Sequence, residues 1–296
     1  MRSEREMMDT ILSFANEEEG IRAVIMNGSR VNPKAGRDPF QDYDIVFFVR
    51  QVGPFVRDRS WVRRFGGMMI MQTPDEMETE PDASGEYSRF AFLMQFADGN
   101  RIDLTLIPYE RRDKLPGDSL SVLLLDKDGT LEPYPPPSDR DYLTQPPAPQ
   151  SFAACCNEFW WVSTYVAKGL WRRELPYAKT MMEGPVRSML VRMLEWHVGI
   201  HSGFTAATGK AGKHLEKHLA PKLWEAYVGT YADGDYDRIW EAMFVMGGLF
   251  RETAQDVASH FGYAYPEEDD RRVTAHLHYV RALPEDAEEL YGEADG

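Results

Sequence analysis

The stretch between residues 132 and 149 constrains the fold most, because it reads Glu132-Pro133-Tyr134-Pro135-Pro136-Pro137 and then supplies Pro146, Pro147 and Pro149. Proline lacks a backbone N–H and has a fixed φ, so such a run continues neither a helix nor a central strand. It reads as a semi-rigid linker between halves of different texture. Before it, short β-rich runs alternate with turns; after it, apolar residues recur at helical spacing. The expectation is an α+β chain: a domain over 1–135 with a mixed sheet flanked by helices, a Pro-rich linker over 136–150, and a helical bundle over 151–296.

In the first half, Met7–Asn16 suits a helix with Met8, Ile11, Leu12 and Ala15 on one face. Strands are expected at 21–26, 43–49, 89–96, 101–107 and 121–125, with a piece of helix at 62–65. Asp98-Gly99-Asn100 between the third and fourth is a hairpin signal, since glycine accepts a positive φ. In the second half, helices are expected from Ser151 to Lys168, opening at Glu183-Gly184-Pro185, from Asp237 to Phe261, and after Pro266. The tail beyond Pro284 is expected to fray.

Bulk properties exclude several classes. No apolar run approaches the roughly 20 residues of a membrane span, and Met1-Arg2-Ser3-Glu4-Arg5-Glu6 lacks the apolar stretch of a signal peptide. A cytoplasmic protein is expected, acting as a monomer or weak dimer and not on a membrane. The net charge of −15, from 48 acidic and 33 basic residues, argues against nucleic acid as a partner and suits a cationic ligand. Cys155 and Cys156 are adjacent; they read as two reduced thiols on a helix, with a vicinal redox switch as the alternative.

Three acidic residues carry the chemical argument. Asp42 and Asp44 stand two apart at the mouth of a strand, so their side chains leave the same face about 7 Å apart. Asp103 lies in Arg101-Ile102-Asp103-Leu104-Thr105-Leu106-Ile107, where Ile102, Leu104 and Leu106 point one way and Asp103 and Thr105 the other. If the two strands are neighbours, the three carboxylates converge, and like charges held together call for a cation, Mg²⁺. Upstream, Asn27-Gly28-Ser29-Arg30 ends a strand. Gly28 permits close backbone approach, Ser29 offers a hydroxyl and an N–H, and Arg30 a forked cation that suits either a phosphate or an acidic neighbour. Tyr43 faces away from the two aspartates, toward the core. His197 and His201 stand four apart on a helix, the spacing of two zinc ligands, but the Glu that a metalloprotease helix carries next to its first His is missing; a packing or capping role is expected.

Gly-Ser, then Asp-x-Asp beginning 13 residues beyond Ser29, then an aspartate within a later strand resembles the DNA polymerase β-like nucleotidyltransferase superfamily. Within it, Asn27-Gly28-Ser29-Arg30, Gln41-Asp42-Tyr43-Asp44-Ile45-Val46-Phe47 and Asp98-Gly99-Asn100-Arg101-Ile102-Asp103-Leu104-Thr105-Leu106-Ile107-Pro108 look like the aminoglycoside 6-adenylyltransferases, the streptomycin-modifying family. Tyr165-Val166-Ala167-Lys168-Gly169-Leu170-Trp171, Gly209-Lys210 and Ala264-Tyr265-Pro266-Glu267 extend the likeness across nearly the whole chain. The resemblance implies a nucleotidyltransferase domain followed by a helical substrate-binding domain, and transfer of AMP from ATP to an aminoglycoside hydroxyl with release of pyrophosphate. Asp42, Asp44 and Asp103 would hold Mg²⁺, and Asp103 would also be the general base. Gly28, Ser29, Arg30, Lys168 and Lys179 would be nucleotide-binding candidates, and Glu86 a candidate for the cationic acceptor. A lincosamide, a protein or an RNA as acceptor, or a nucleotide-binding regulator, are the competing readings.

Overall fold

The computed structural model describes residues 1–78, 86–114 and 117–291, which form two compact units, Met1–Asp141 and from Tyr142 onward. The first opens with helix α1 (Glu4–Glu17), started by a reciprocal cap in which Glu6 N–H donates to Ser3 Oγ and Ser3 N–H to the Glu6 carboxylate. Strands follow at β1 (Ile21–Asn27), β2 (Tyr43–Val49), β3 (Met68–Gln72), β4 (Phe90–Phe96), β5 (Arg101–Pro108) and β6 (Ser121–Asp126). Two short helices, α2 (Gly53–Arg57) and α3 (Asp75–Glu78), flank β3 in sequence. The expected helical piece near 62 is a 3₁₀ turn over Ser60–Phe65.

The six strands form one mixed sheet in the order β3-β4-β5-β2-β1-β6, with β2 and β5 parallel and every other pair antiparallel. Strand alternation sorts its residues cleanly. Tyr43, Ile45, Phe47 and Val49 of β2 and Ile102, Leu104 and Leu106 of β5 pack into the larger core with Met7, Ile11 and Phe14 of α1. The residues between them face the opposite side, where Val46, Phe48 and Ile107 make a smaller cluster covered in part by Leu131 and Tyr134. The start of the proline-rich stretch thus packs on the sheet, and Ser138 and Asp141 bond back to Ser119. The division into units, at Asp141/Tyr142, falls inside the stretch.

β3 was not anticipated. Its sequence, Met-Met-Ile-Met-Gln, has no polar alternation, and as an edge strand it leaves Met69 and Ile70 exposed.

The second unit comprises α4 (Pro149–Trp171), α5 (Leu175–Met181), α6 (Arg187–Ser202), α7 (Leu215–His218), α8 (Pro221–Gly229), α9 (Tyr236–Phe261) and α10 (Glu267–Ala282). Asp235 caps α9 by accepting the Arg238 N–H, and Gly262 closes it with a φ of +70°. The expectation that Pro185 opens a helix is corrected. A wide π turn over Met182–Val186 carries α5 into α6, and Pro185 lies inside it. Such a turn relaxes the ordinary bonding pattern and so tolerates a residue without an N–H. The tail differs too: Trp171 Nε1 donates to the Leu283 carbonyl at 3.2 Å, and Tyr291 stacks on Tyr279 with centroids 4.4 Å apart; residues 292–296 lie outside the described chain. Cys155 and Cys156 are buried free thiols on α4. Among the described residues no helix is long and apolar enough to cross a membrane.

Phe92, fully buried on β4, meets the Trp61 ring edge-on at 5.1 Å and Phe90 at 5.0 Å. Phe92→Ala is expected to cost about 3–5 kcal/mol, measured as a lowered midpoint of the unit's urea transition; an unchanged midpoint would contradict this packing.

Candidate active site

The parallel register of β2 against β5 sets Asp44 directly beside Asp103 and Tyr43 beside Ile102. Directly paired residues in neighbouring strands share a face, so both carboxylates project from the side away from α1. Asp42, just before β2, joins them: one carboxylate oxygen from each of the three lies within 4.8 Å of the others. The register of β5 is in turn set by the hairpin. Gly99 takes a φ of +88° there, Asn100 N–H donates to Asp98 at 3.1 Å, and Leu93 and Gln95 of β4 pair with Asp103 and Arg101.

Electrostatics of the cluster are unfavourable without a cation. Burial first, then the charges of Asp42 and Asp103, push Asp44 up to about 7 from an ordinary 3.8, and Asp118 ahead of β6 adds to that field. Among the described residues, Arg101 supplies countercharge at the cluster: its Nε and Nη2 donate to the two oxygens of Asp103 at 2.7 and 2.6 Å, with Nε 3.8 Å from Asp42. Arg101 was missed by sequence reasoning. The signal existed, since two positions before Asp103 on one strand means the same face. Three clustered carboxylates form an all-oxygen donor set that fits a hard divalent cation such as Mg²⁺.

Gly28 is required by geometry. Its φ is +79°, and a Cβ placed there would lie 2.1 Å from Oδ2 of Asp44. Its N–H donates to the Leu120 carbonyl at 3.0 Å, so Gly28 serves the site by shape and makes no N–H available to a phosphate. Ser29 follows in the same short 3₁₀ turn, partly exposed. Arg30 anchors an acidic neighbour's loop. Its guanidinium is buried, lies over the Tyr43 ring at 3.8 Å, and donates to the carbonyls of Asp42 at 2.9 Å and Gln41 at 2.6 Å and to Glu4 of α1 at 3.2 Å. It holds the loop that presents Asp42 and is spent on that task.

Of the remaining candidates, Glu86 lies in the first unit and Lys168 and Lys179 in the second. Glu86 accepts the N–H groups of Val52 and Gly53 at 2.8 and 3.0 Å, at the start of α2. That bonding engages the carboxylate in the fold of the first unit. Lys179, in the second unit, donates to Glu183 at 3.1 Å and to the Ala232 carbonyl at 2.8 Å, an internal tie. Lys168, exposed on α4, carries its ammonium 5.1 Å from the Tyr165 ring and borders a cavity of about 360 Å³ with Trp171, His276, Val280 and Leu283.

A mixed sheet bearing a Gly-Ser turn, an Asp-x-Asp pair and a third aspartate on a parallel neighbour defines the class of nucleotidyltransferases. Comparison with known proteins narrows this. The family model described as streptomycin adenylyltransferase matches residues 1–280. An aminoglycoside 6-adenylyltransferase of Bacillus subtilis (strain 168) is 40% identical over 272 residues, covering 91% of this chain and 95% of that one. One from Campylobacter jejuni is 41% identical, covering 92% and 93%, and one from Staphylococcus aureus is 34% identical, covering 90% and 94%. A crystal structure of an aminoglycoside 6-adenyltransferase from Bacillus subtilis is 36% identical, covering 96% of this chain and 100% of that one, with a TM-score of 0.48. The chain belongs to the streptomycin adenylyltransferase family.

Two outcomes follow from the geometry. Asp44 holds its proton in the fold up to about pH 7 but releases it near 3.8 when unfolded. The metal-free protein therefore loses stability as pH rises through that window. Asp44→Asn abolishes this slope, and at pH 8 without divalent cations it is expected to melt a few degrees above the parent; a parallel pair of melting curves across pH would contradict the assignment. Gly28→Ala is expected to lower kcat/KM by at least about 100-fold, roughly 2.7 kcal/mol, by displacing Asp44, with circular dichroism unchanged.

Proposed function

We propose that this chain transfers AMP from ATP to the 6-hydroxyl of streptomycin, releasing pyrophosphate, and so confers aminoglycoside resistance in the cytoplasm, where ATP is available. The observation that carries the proposal is the convergence of Asp42, Asp44 and Asp103, donor oxygens within 4.8 Å, on one face of the sheet. Membership of the streptomycin adenylyltransferase family supports the acceptor class, as does a net charge of −15, which attracts a guanidinium-bearing antibiotic.

In the reaction, the acceptor hydroxyl oxygen attacks the α-phosphorus of ATP. The bond from that phosphorus to the bridging oxygen breaks, and pyrophosphate leaves with the electron pair. The hydroxyl proton passes to the Asp103 carboxylate, the general base. Asp42 and Asp44 would hold Mg²⁺, which when bound offsets charge on the transferring and leaving phosphates. Phosphoryl chemistry of this kind depends mainly on position and charge. A rigid parallel strand pair supplies the position.

Arg101 enters here as well. While its guanidinium grips both oxygens of Asp103, that carboxylate is a poor proton acceptor, so productive binding must draw Arg101 away. Its side chain is 44% exposed and free to swing toward the phosphates.

The test is to incubate purified protein with α-labelled ATP, Mg²⁺ and a panel of aminoglycosides and lincosamides. Label is expected on streptomycin, dependent on Mg²⁺, with Asp103→Asn reducing kcat by at least about 1,000-fold, roughly 4 kcal/mol. Transfer to no aminoglycoside would sink the substrate assignment; full activity of Asp103→Asn would sink the mechanism.

A further inference from the structure

In the second unit, α6 and α9 bring together a set of donors that the sequence only half revealed. His197 and His201, four apart on α6, lie on one face with ring centroids 4.4 Å apart. From α9, Asp256 places Oδ2 2.7 Å from His197 Nδ1 and 2.9 Å from His201 Nε2. One donor atom from each residue lies within 4.8 Å of the other two. We infer that His197, His201 and Asp256 form a zinc-binding site that staples α6 to α9.

The alternative for such a trio is a plain hydrogen-bond network, and one atom argues against it. His201 Nε2 makes an ordinary bond to Asp256. His197 Nδ1 is shielded from solvent and approaches the same oxygen at 2.7 Å, but off the line of a well-aligned hydrogen bond. A buried ring nitrogen held against a carboxylate at poor alignment gains less than a finished network would give it. Its lone pair and the carboxylate are both satisfied by a cation set between them.

The donor chemistry selects the metal. Two imidazoles and one carboxylate suit Zn²⁺, whereas Mg²⁺ takes oxygen ligands. Bonds of about 2.0–2.1 Å in a tetrahedral site set ligand atoms roughly 3.3 Å apart. The present contacts of 2.7 and 2.9 Å must open by roughly half an ångström, a small motion for side chains at this surface. His201 is 62% exposed and Asp256 39% exposed, leaving a fourth position open to water. The neighbouring carboxylate on α9, Glu252, is paired with Lys222 at 3.1 Å and is not needed as a ligand. Because the two histidines sit in the last turns of α6 and the aspartate on another helix, the metal would close a loop of more than fifty residues.

The experiment uses the full-length, tag-free chain carrying Asp42→Asn, Asp44→Asn and Asp103→Asn, so that the catalytic carboxylates cannot bind the added metal. Calorimetric titration with Zn²⁺ is expected to show one site per chain, with a raised melting temperature and no competition from millimolar Mg²⁺. Co²⁺ in its place is expected to give the visible bands of a four- or five-coordinate ion. His201→Ala and Asp256→Asn, both at exposed positions, are expected to weaken binding by at least about tenfold each. No saturable zinc binding, or binding untouched by both substitutions, would overturn the inference. Loss of melting temperature in His201→Ala, with no zinc bound by the unsubstituted residues, would leave the trio as a hydrogen-bond network and overturn it equally.

Discussion

Like charges on one sheet face repel, and the surroundings of Asp42, Asp44 and Asp103 are arranged around that repulsion. The parallel register of β2 and β5 forces Asp44 and Asp103 side by side. Arg30 pins the loop carrying Asp42 by its carbonyl, and Gly28 leaves the space that Asp44 occupies. Burial then drives Asp44 toward neutrality, and Arg101 supplies a provisional countercharge. A site built this way gives up stability in its metal-free form, and a divalent cation bound between the carboxylates would relieve the repulsion.

Features away from the three carboxylates help hold that arrangement. Glu4 in the first turn of α1 pairs with Arg30, and Arg30 holds Asp42, so the helix that closes the core also fixes a carboxylate. The hairpin at Asp98-Gly99-Asn100 determines which residues of β5 face the site. A slip of one residue would turn Asp103 into the core and Leu104 toward solvent.

Much of this was legible in the sequence because strand alternation is a strict two-residue period. Tyr43, Ile45, Phe47 and Ile102, Leu104, Leu106 identify the buried face, and that places Asp44 and Asp103 opposite it. Pairing of β2 with β5 is not written in the sequence, because their separation along the chain carries no register. Arg30 and Lys179 illustrate what a sequence leaves open: their partners in the fold, the Asp42 and Gln41 carbonyls for one and Glu183 for the other, are encoded by no spacing in the chain. β3 was illegible because an edge strand of methionines has no alternation, and Pro185 misled because a π turn tolerates what an α-helix does not.

The most direct test of the account is a crystal structure with Mn²⁺ and a non-hydrolysable ATP analogue, read by anomalous scattering. The account predicts a manganese peak about 2.1 Å from oxygens of Asp42 and Asp44, with Asp103 in reach and Arg101 withdrawn from it. Manganese held by the nucleotide alone, with Arg101 still bound to both oxygens of Asp103, would contradict it.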